Sequence, residues 1–238
     1  IDIEGYDSGF LISKLKEMLL IRCVEEKLAE GKKNNLIGGP VHLGAGQEAI
    51  AVGISESLLP SDRVFGTHRS HAHILALDPC IYELFAEILG KDTGLSKGMG
   101  GSMHLTKPES GFIGSVPIVA GTIPLAVGAA FNAKIKGGDE IGVAYLGDGA
   151  VEEGVFHESL NLSKILNAPI LFVVENNLFA SHMHISLRQP QKSISRFAEA
   201  NDIDYKIIDG NNLLEVYEAS KILIEGCRKG EGPKLLEA

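Results

Sequence analysis

The sequence predicts an α/β fold, a mostly parallel sheet flanked by helices, and three observations predict it. From residue 141 onward, strand-length apolar runs alternate with helix-length segments: "IGVAYL", "VFHESLNLSKIL", "PILFVVE", "YKIID", "LLEVYEASKILIEGCR" and "KLLEA". Such alternation is satisfied by parallel strands joined by right-handed crossovers. Two of the apolar runs stop abruptly at polar residues, one at Gly-Asp-Gly and the next at Asn-Asn. The length of 238 residues, 45% hydrophobic and 22% charged, suffices for one sizeable core.

The earlier elements read as follows. Ser8 is placed to cap a helix from Gly9 to Glu30, with Leu11, Leu15, Met18 and Leu19 on one face and Gly31 at its end. This makes a helical extension over about residues 8–33. "IGGPVHLGAGQEAI" leads into a second helix near Gln47–Leu59, stopped by Pro60. "DRVFGTH" is a short strand ending in the histidine-rich "THRSHAH", and a helix near Ile81–Leu89 precedes the glycine loop "GKDTGLSKGMGGSMHLTKPESGFIGS". Pro124–Lys136 forms a small-residue helix suited to close packing. After "PILFVVE" a loop runs to about Lys192, and "SISRFAEA" is helical. No repeat, low-complexity tract or linker interrupts the chain, so residues 1–238 read as a single domain.

Composition narrows the function classes. A net charge of −9, with the basic residues scattered, argues against nucleic acid or an anionic membrane as partner. No apolar run approaches the roughly 20 residues of a membrane span. The acidic start "IDIEGYDSGF" is unlike a secretory leader. Cys23, Cys80 and Cys227 are odd in number and lack CxxC spacing, which points to reduced thiols in the cytoplasm or an organelle matrix. Many of the 28 glycines lie between Gly90 and Gly154, where backbone close to a ligand is expected.

The stretch "GDGAVEEGVFHESLNLSKILNAPILFVVENN" carries the chemistry. In a parallel βαβ unit Asp148 and Asn177 emerge on the same carboxyl edge, where open α/β sheets bind ligands. Neighbouring strands are about 4.8 Å apart. One carboxylate, one amide oxygen and a nearby backbone carbonyl make an oxygen-only set suited to Mg²⁺ or Ca²⁺. Gly147 and Gly149 let the backbone approach a diphosphate, and the helix after Gly154 adds N–H donors. A lone Gly-Asp-Gly is a common turn. Its coincidence with an apolar strand, a crossover helix and Asn177 is what points to a metal site.

That stretch is similar to the thiamine-diphosphate motif, which begins with GDG and ends in N or NN about 30 residues later. With "HLGAGQEAI", "THRSHAHILAL", "SKGMGGSMHL", "IPLAVGAA" and "RKGEGPKLLEA", the chain resembles the alpha subunit of the 2-oxo acid dehydrogenase first component, the group of pyruvate, branched-chain and acetoin dehydrogenases. The resemblance implies Mg²⁺ held by the side chains of Asp148 and Asn177 and the carbonyl of Phe179. It implies that Gly149, Ala150 and Arg69 contact the diphosphate, with His68 at a position often tyrosine. Pro117 to Val119 would lie against the aminopyrimidine, and His71 would be a catalytic histidine near the reacting carbon.

The implied activity is oxidative decarboxylation of a small 2-oxo acid, with acyl transfer to a lipoyl-bearing acyltransferase. The implied assembly is an α₂β₂ heterotetramer whose beta subunit supplies the activating glutamate. The chain departs from the family pattern at Ala72, at Leu77-Asp78 and in "VPIVAGTIP". A transketolase-like or carboligating split enzyme, and a non-catalytic cofactor-binding subunit, are the alternatives.

Other residues invite other chemistry. His71-x-His73 and His182-x-His184 would each put two rings on one face of a strand, as a zinc pair needs, but no third ligand follows at a telling spacing. Glu152 and Glu153 read as a solvated helix start favoured by the dipole. The glycine loop lacks Walker spacing and reads as a mobile cover over the cofactor, with Ser102, Met103 and His104 facing the channel. His157 reads as a packing residue.

Overall fold

A computed structural model of the chain describes residues 3–238. Helix α1 (Ser8–Lys33) is capped by Asp7 rather than Ser8, because Asp7 Oδ2 accepts the Phe10 N–H at 3.1 Å. That bond satisfies a first-turn donor that has no intrahelical acceptor. The buried stripe of α1 is Lys14, Ile21, Val24, Glu25 and Leu28, whereas Leu15 and Leu19 are 51% and 52% exposed. Lys14 takes the inward place because its ammonium meets Glu17 at 2.7 Å and Glu56 at 2.6 Å. Gly31 is inside the helix, and Asn34 ends it.

Helix α2 (Glu48–Ser55) stops short of the expected Leu59. The chain turns there because Asp62 accepts the N–H groups of Leu59 at 2.7 Å and Ile141 at 2.9 Å. Strand β1 (Arg63–Gly66) follows, and the histidine-rich segment then forms helix α3 (His71–Leu77), not a strand. Helix α4 (Ile81–Ile88) is as expected. Strand β2 (Phe112–Ser115) lies inside the presumed glycine loop, where β1 supplies its ladder partners.

Next come α5 (Ile123–Lys136), β3 (Gly142–Gly147), α6 (Gly154–Leu166) and β4 (Ile170–Glu175). The following loop contains a two-residue hairpin, β5 (Phe179–Ala180) with β6 (Met183–His184). Helix α7 (Arg196–Ala200), β7 (Asp204–Ile207), α8 (Leu213–Arg228) and β8 (Lys234–Glu237) complete the chain.

The main sheet has the order β2-β1-β3-β4-β8-β7, and every pairing in it is parallel. Alternating side chains feed two cores. Val143, Tyr145, Leu171 and Val173 pack with α1 to α4 and α8, while Ala144, Leu146, Phe172 and Val174 pack with α5 to α7. Helix α5 packs closely because its Ala126, Ala130 and Ala133 face the sheet. A Cβ on Gly142 would come within 2.7 Å of the Ala126 carbonyl oxygen. The chain reverses its strand order between β1 and β3, and the crevice beyond their carboxyl ends is where such sheets bind ligands.

The glycine loop is tied down rather than free. Glu87 on α4, fully buried, accepts the N–H groups of Ser96 (2.6 Å), Gly98 (2.9 Å), Gly100 (2.6 Å) and Gly101 (3.2 Å). Glycine is needed at residue 94, where a Cβ would lie 2.5 Å from the Glu87 Cα. Burial alone would push the Glu87 carboxyl up, but the four N–H donors outweigh it and hold it below its ordinary 4.5. The unfolded chain therefore binds the proton more readily, so this contribution is complete above about pH 4.5 and is lost as pH falls through the lower folded value. We predict that Glu87→Ala costs about 2–4 kcal/mol at neutral pH. Loop 94–101 should then become the first site of proteolysis. Denaturant titrations should show the wild-type advantage shrinking at acid pH.

Candidate functional site

Three strand ends converge on a cavity of about 320 Å³. Thr67, His68 and Arg69 come from the end of β1, Tyr145 to Ala150 from the end of β3, and Glu175, Asn177 and Phe179 to Ser181 from the end of β4. Val116, Ile118, Val119 and Ala120 form the opposite wall. Of the residues expected from sequence, the cavity brings together His68, Arg69, Val119, Asp148, Gly149, Ala150, Asn177 and Phe179. Pro117 lies between two lining residues without lining the cavity itself.

The pairing Gly147↔Glu175 puts the ends of β3 and β4 level, which brings Asp148 and Asn177 to one edge. Asp148 is 1% exposed. Burial pushes its carboxyl above the ordinary value, and the Arg188 guanidinium beside it pulls back toward the ionised form. Asn177 Oδ1 accepts the Phe179 N–H at 3.0 Å, which leaves the amide oxygen a second lone pair. A Cβ on Gly149 would lie 2.7 Å from the Ala180 Cβ, so only glycine lets the hairpin approach this turn.

Arg69 donates through Nη1 to the Leu43 carbonyl. The ring of His68 meets His42 edge-on at 4.6 Å. Burial, then His42 and Arg69, hold His68 below its ordinary value, while Glu175 opposes them.

These residues fit the group that the sequence implies. A buried carboxylate and a free amide lone pair offer oxygen to a hard cation. The glycine turn, Arg69 and the N-terminal end of α6 suit an anion. Among the described residues no group of three or more His, Cys, Asp or Glu could hold a metal ion. His184 accepts the Ser186 N–H at the start of a turn, and His157 Nε2 meets the Val151 carbonyl at 2.9 Å.

His71 does not reach the cavity wall. It is fully buried, with Nδ1 3.2 Å from both Glu25 oxygens and Nε2 2.8 Å from Ser102 Oγ. It joins α1, α3 and the glycine loop. Ser102 is therefore buried against His71 instead of facing the channel, and His104 is exposed. Glu152 is not merely a solvated helix start, since it accepts from both Arg188 and Gln189.

Sequence reasoning missed Arg188, Glu175 and Tyr145, and weighed His73 only as half of a zinc pair. His73 bonds Glu175 at 3.0 Å and Ser70 Oγ at 3.1 Å, and stacks on Tyr145 at 3.8 Å. Only the strand-end position of Glu175, two residues before Asn177, could have flagged it.

Comparison with known proteins follows the same direction. Residues 16–238 match the family model described as the dehydrogenase E1 component. The alpha subunit of acetoin:2,6-dichlorophenolindophenol oxidoreductase from Bacillus subtilis is 40% identical over 222 residues, 93% of this chain and 67% of that protein. The alpha subunit of the pyruvate dehydrogenase E1 component from Rhizobium meliloti is 38% identical over 222 residues, 93% of this chain and 64% of that protein. The chain thus spans about two thirds of the length of these relatives. A solved structure of a putative thiamin diphosphate-dependent enzyme from Mycobacterium smegmatis superposes with a TM-score of 0.52 at 18% identity. It covers 80% of this chain and 31% of that one, and supports the fold.

We predict that His71→Ala lowers stability by about 2–4 kcal/mol, because the buried Glu25 would lose its imidazole partner and a cavity would open between α1, α3 and the glycine loop. Chemical denaturation is the measurement. An unchanged midpoint together with lost turnover would instead return His71 to the catalytic role expected from sequence.

Proposed function

We propose, from the premise that this chain belongs to the dehydrogenase E1 component family, that it is the alpha subunit of a thiamine-diphosphate-dependent enzyme. Its reaction would be oxidative decarboxylation of a small 2-oxo acid, pyruvate-like or acetoin-like, with the acyl unit passed to a lipoyl carrier. The observation that carries this reading is that the buried Asp148 comes to the same carboxyl edge of the sheet as Asn177, beside the reversal of strand order. Acetoin and pyruvate enzymes stand at nearly equal identity to the chain, 40% and 38%, so they support the reaction class without choosing the substrate.

Asp148, the Asn177 amide oxygen and the Phe179 carbonyl would hold Mg²⁺, an oxygen-only set that leaves positions for phosphate and water. Gly149 and Ala150 N–H groups and the Arg69 guanidinium would bind the diphosphate, with His68 beside them. The wall around Val119, continued by Pro117, would pack against the aminopyrimidine. When bound, thiamine diphosphate supplies a nucleophilic carbon and an electron sink for the loss of CO₂. Val116, Ile118, Val119 and Ala120 give that end of the cavity an apolar lining. His71 acts from behind, positioning α3 against α1 and the glycine loop.

A partner is part of the proposal. Leu125 and Ile135 on α5, and Leu162 and Ile165 on α6, are 57%, 68%, 48% and 71% exposed. Exposed side chains of this size on two neighbouring helices suit an obligate apolar interface, such as an α₂β₂ assembly would bury. Residues 1–238 act in this reading as one cofactor-binding domain, with α1 packed on α2 and α3. No described helix is long and apolar enough to cross a membrane.

Two outcomes test the reading. Asp148→Ala should abolish Mg²⁺-dependent thiamine diphosphate binding in calorimetry while circular dichroism stays close to wild type, and Arg69→Ala should weaken binding about tenfold or more. Unchanged cofactor affinity in Asp148→Ala would sink the metal assignment. The purified chain alone should turn over no 2-oxo acid in an artificial-acceptor assay, and a co-expressed beta subunit should restore turnover. Substantial activity without the partner would mean that the activating carboxylate lies in this chain.

A further inference from the structure

The carboxylate expected to hold the metal is already paired with a cation of the chain itself. Arg188 donates through Nη2 to Asp148 Oδ2 and through Nη1 to Glu152 Oε1. Its Nε donates to the Met183 carbonyl at 3.2 Å, and its side chain is only 6% exposed. The guanidinium lies over the glycine turn, since a Cβ on Gly149 would be 4.0 Å from Nη1. Arg188 arrives there at the end of a segment with three non-glycine residues in the left-handed region, Leu178 (φ 68°), Ser181 (46°) and His182 (75°). Such a backbone persists only where surrounding contacts hold it, and the Arg188 pairs are contacts of that kind.

We propose that Arg188 is a diphosphate-binding residue that exchanges partners on loading: it holds Asp148 when no metal is bound, and turns to the diphosphate when a divalent cation takes Asp148. This rests on the metal and diphosphate reading above. A guanidinium and a dication repel each other in a cavity of low dielectric, so the two compete for Asp148. Glu152 and the Met183 carbonyl keep the displaced guanidinium beside Gly149. A buried guanidinium is costly to leave half-paired, and the arriving anion is the partner at hand. Planar Arg binds phosphate oxygens with two parallel donors. Metal and diphosphate binding are thereby coupled through one side chain.

The coupling has a signature of opposite signs that a merely structural arginine would not produce. The full chain, co-expressed with the subunit it assembles with, is titrated with Mn²⁺ alone, and then with thiamine diphosphate at saturating Mn²⁺. Arg188→Gln should bind Mn²⁺ alone about fivefold or more tightly. It should bind thiamine diphosphate about tenfold or more weakly. Arg188→Lys should fall between in both.

Glu152→Gln, which loosens the tether but leaves the metal ligands intact, should show the same two signs at smaller size. It decides the matter if Arg188→Gln fails to fold. Affinities that move together, or do not move, overturn the proposal. A wild type that binds no Mn²⁺ even with thiamine diphosphate overturns the metal reading and the proposal with it. Wild-type binding with unshifted variants overturns the proposal alone.

Discussion

The parallel register of β3 against β4 is the constraint on which the site depends. It runs without a break from Gly142↔Ile170 to Gly147↔Glu175. Side chains alternate along a strand, so a one-residue slip of β4 against β3 would turn Leu171 and Val173 out of one core and into the other. The same slip would shift Asn177 along the edge relative to Asp148. Hydrophobic packing on both faces of the sheet thus sets the geometry of two polar residues beyond its edge. The reversal of strand order between β1 and β3 then opens the crevice in which those residues meet Arg69 and His68.

Buried carboxylates do two different jobs in this fold. Asp62 joins the starts of β1 and β3 and receives Arg228 at 2.9 Å. Glu87 gathers the glycine loop, and Glu237 accepts the N–H groups of Ile194 at 2.9 Å and Ser195 at 2.8 Å. Their partners are largely backbone N–H groups, which cannot leave without unfolding the segment that carries them. Asp148 takes its side-chain bond from Arg188 instead, and a side chain can rotate away. A carboxylate with a detachable partner is available to a ligand at far lower cost than one held by the main chain.

The histidines divide in the same way. His71 and His73 both lie on α3 and are both buried, yet their rings leave the helix in different directions. One meets Glu25 of α1 and Ser102, and the other meets Glu175, which lines the cavity. Each ring has both nitrogens engaged, so α3 fastens the cavity to the layer of helices around it. His68, one turn before that helix, is the histidine that lines the cavity.

Periodicity and motif spacing by themselves determined the alternation of strands and helices from residue 141 onward and the shared edge of Asp148 and Asn177, while the family came from the resemblance of whole motifs. Those features are local, or follow from the handedness of one βαβ unit. What was not legible depends on partners distant in sequence. Lys14 turned α1 because Glu56 lies across from it, β2 formed because β1 offers a ladder, and the glycine loop is pinned by an acid on the preceding helix. His71 left the cavity because Glu25, 46 residues earlier, captures its ring. Arg188 reached Asp148 because a hairpin folds back onto the Gly-Asp-Gly turn. A charged side chain carries no period that reveals its partner, so only the tertiary structure could decide which acids and bases meet.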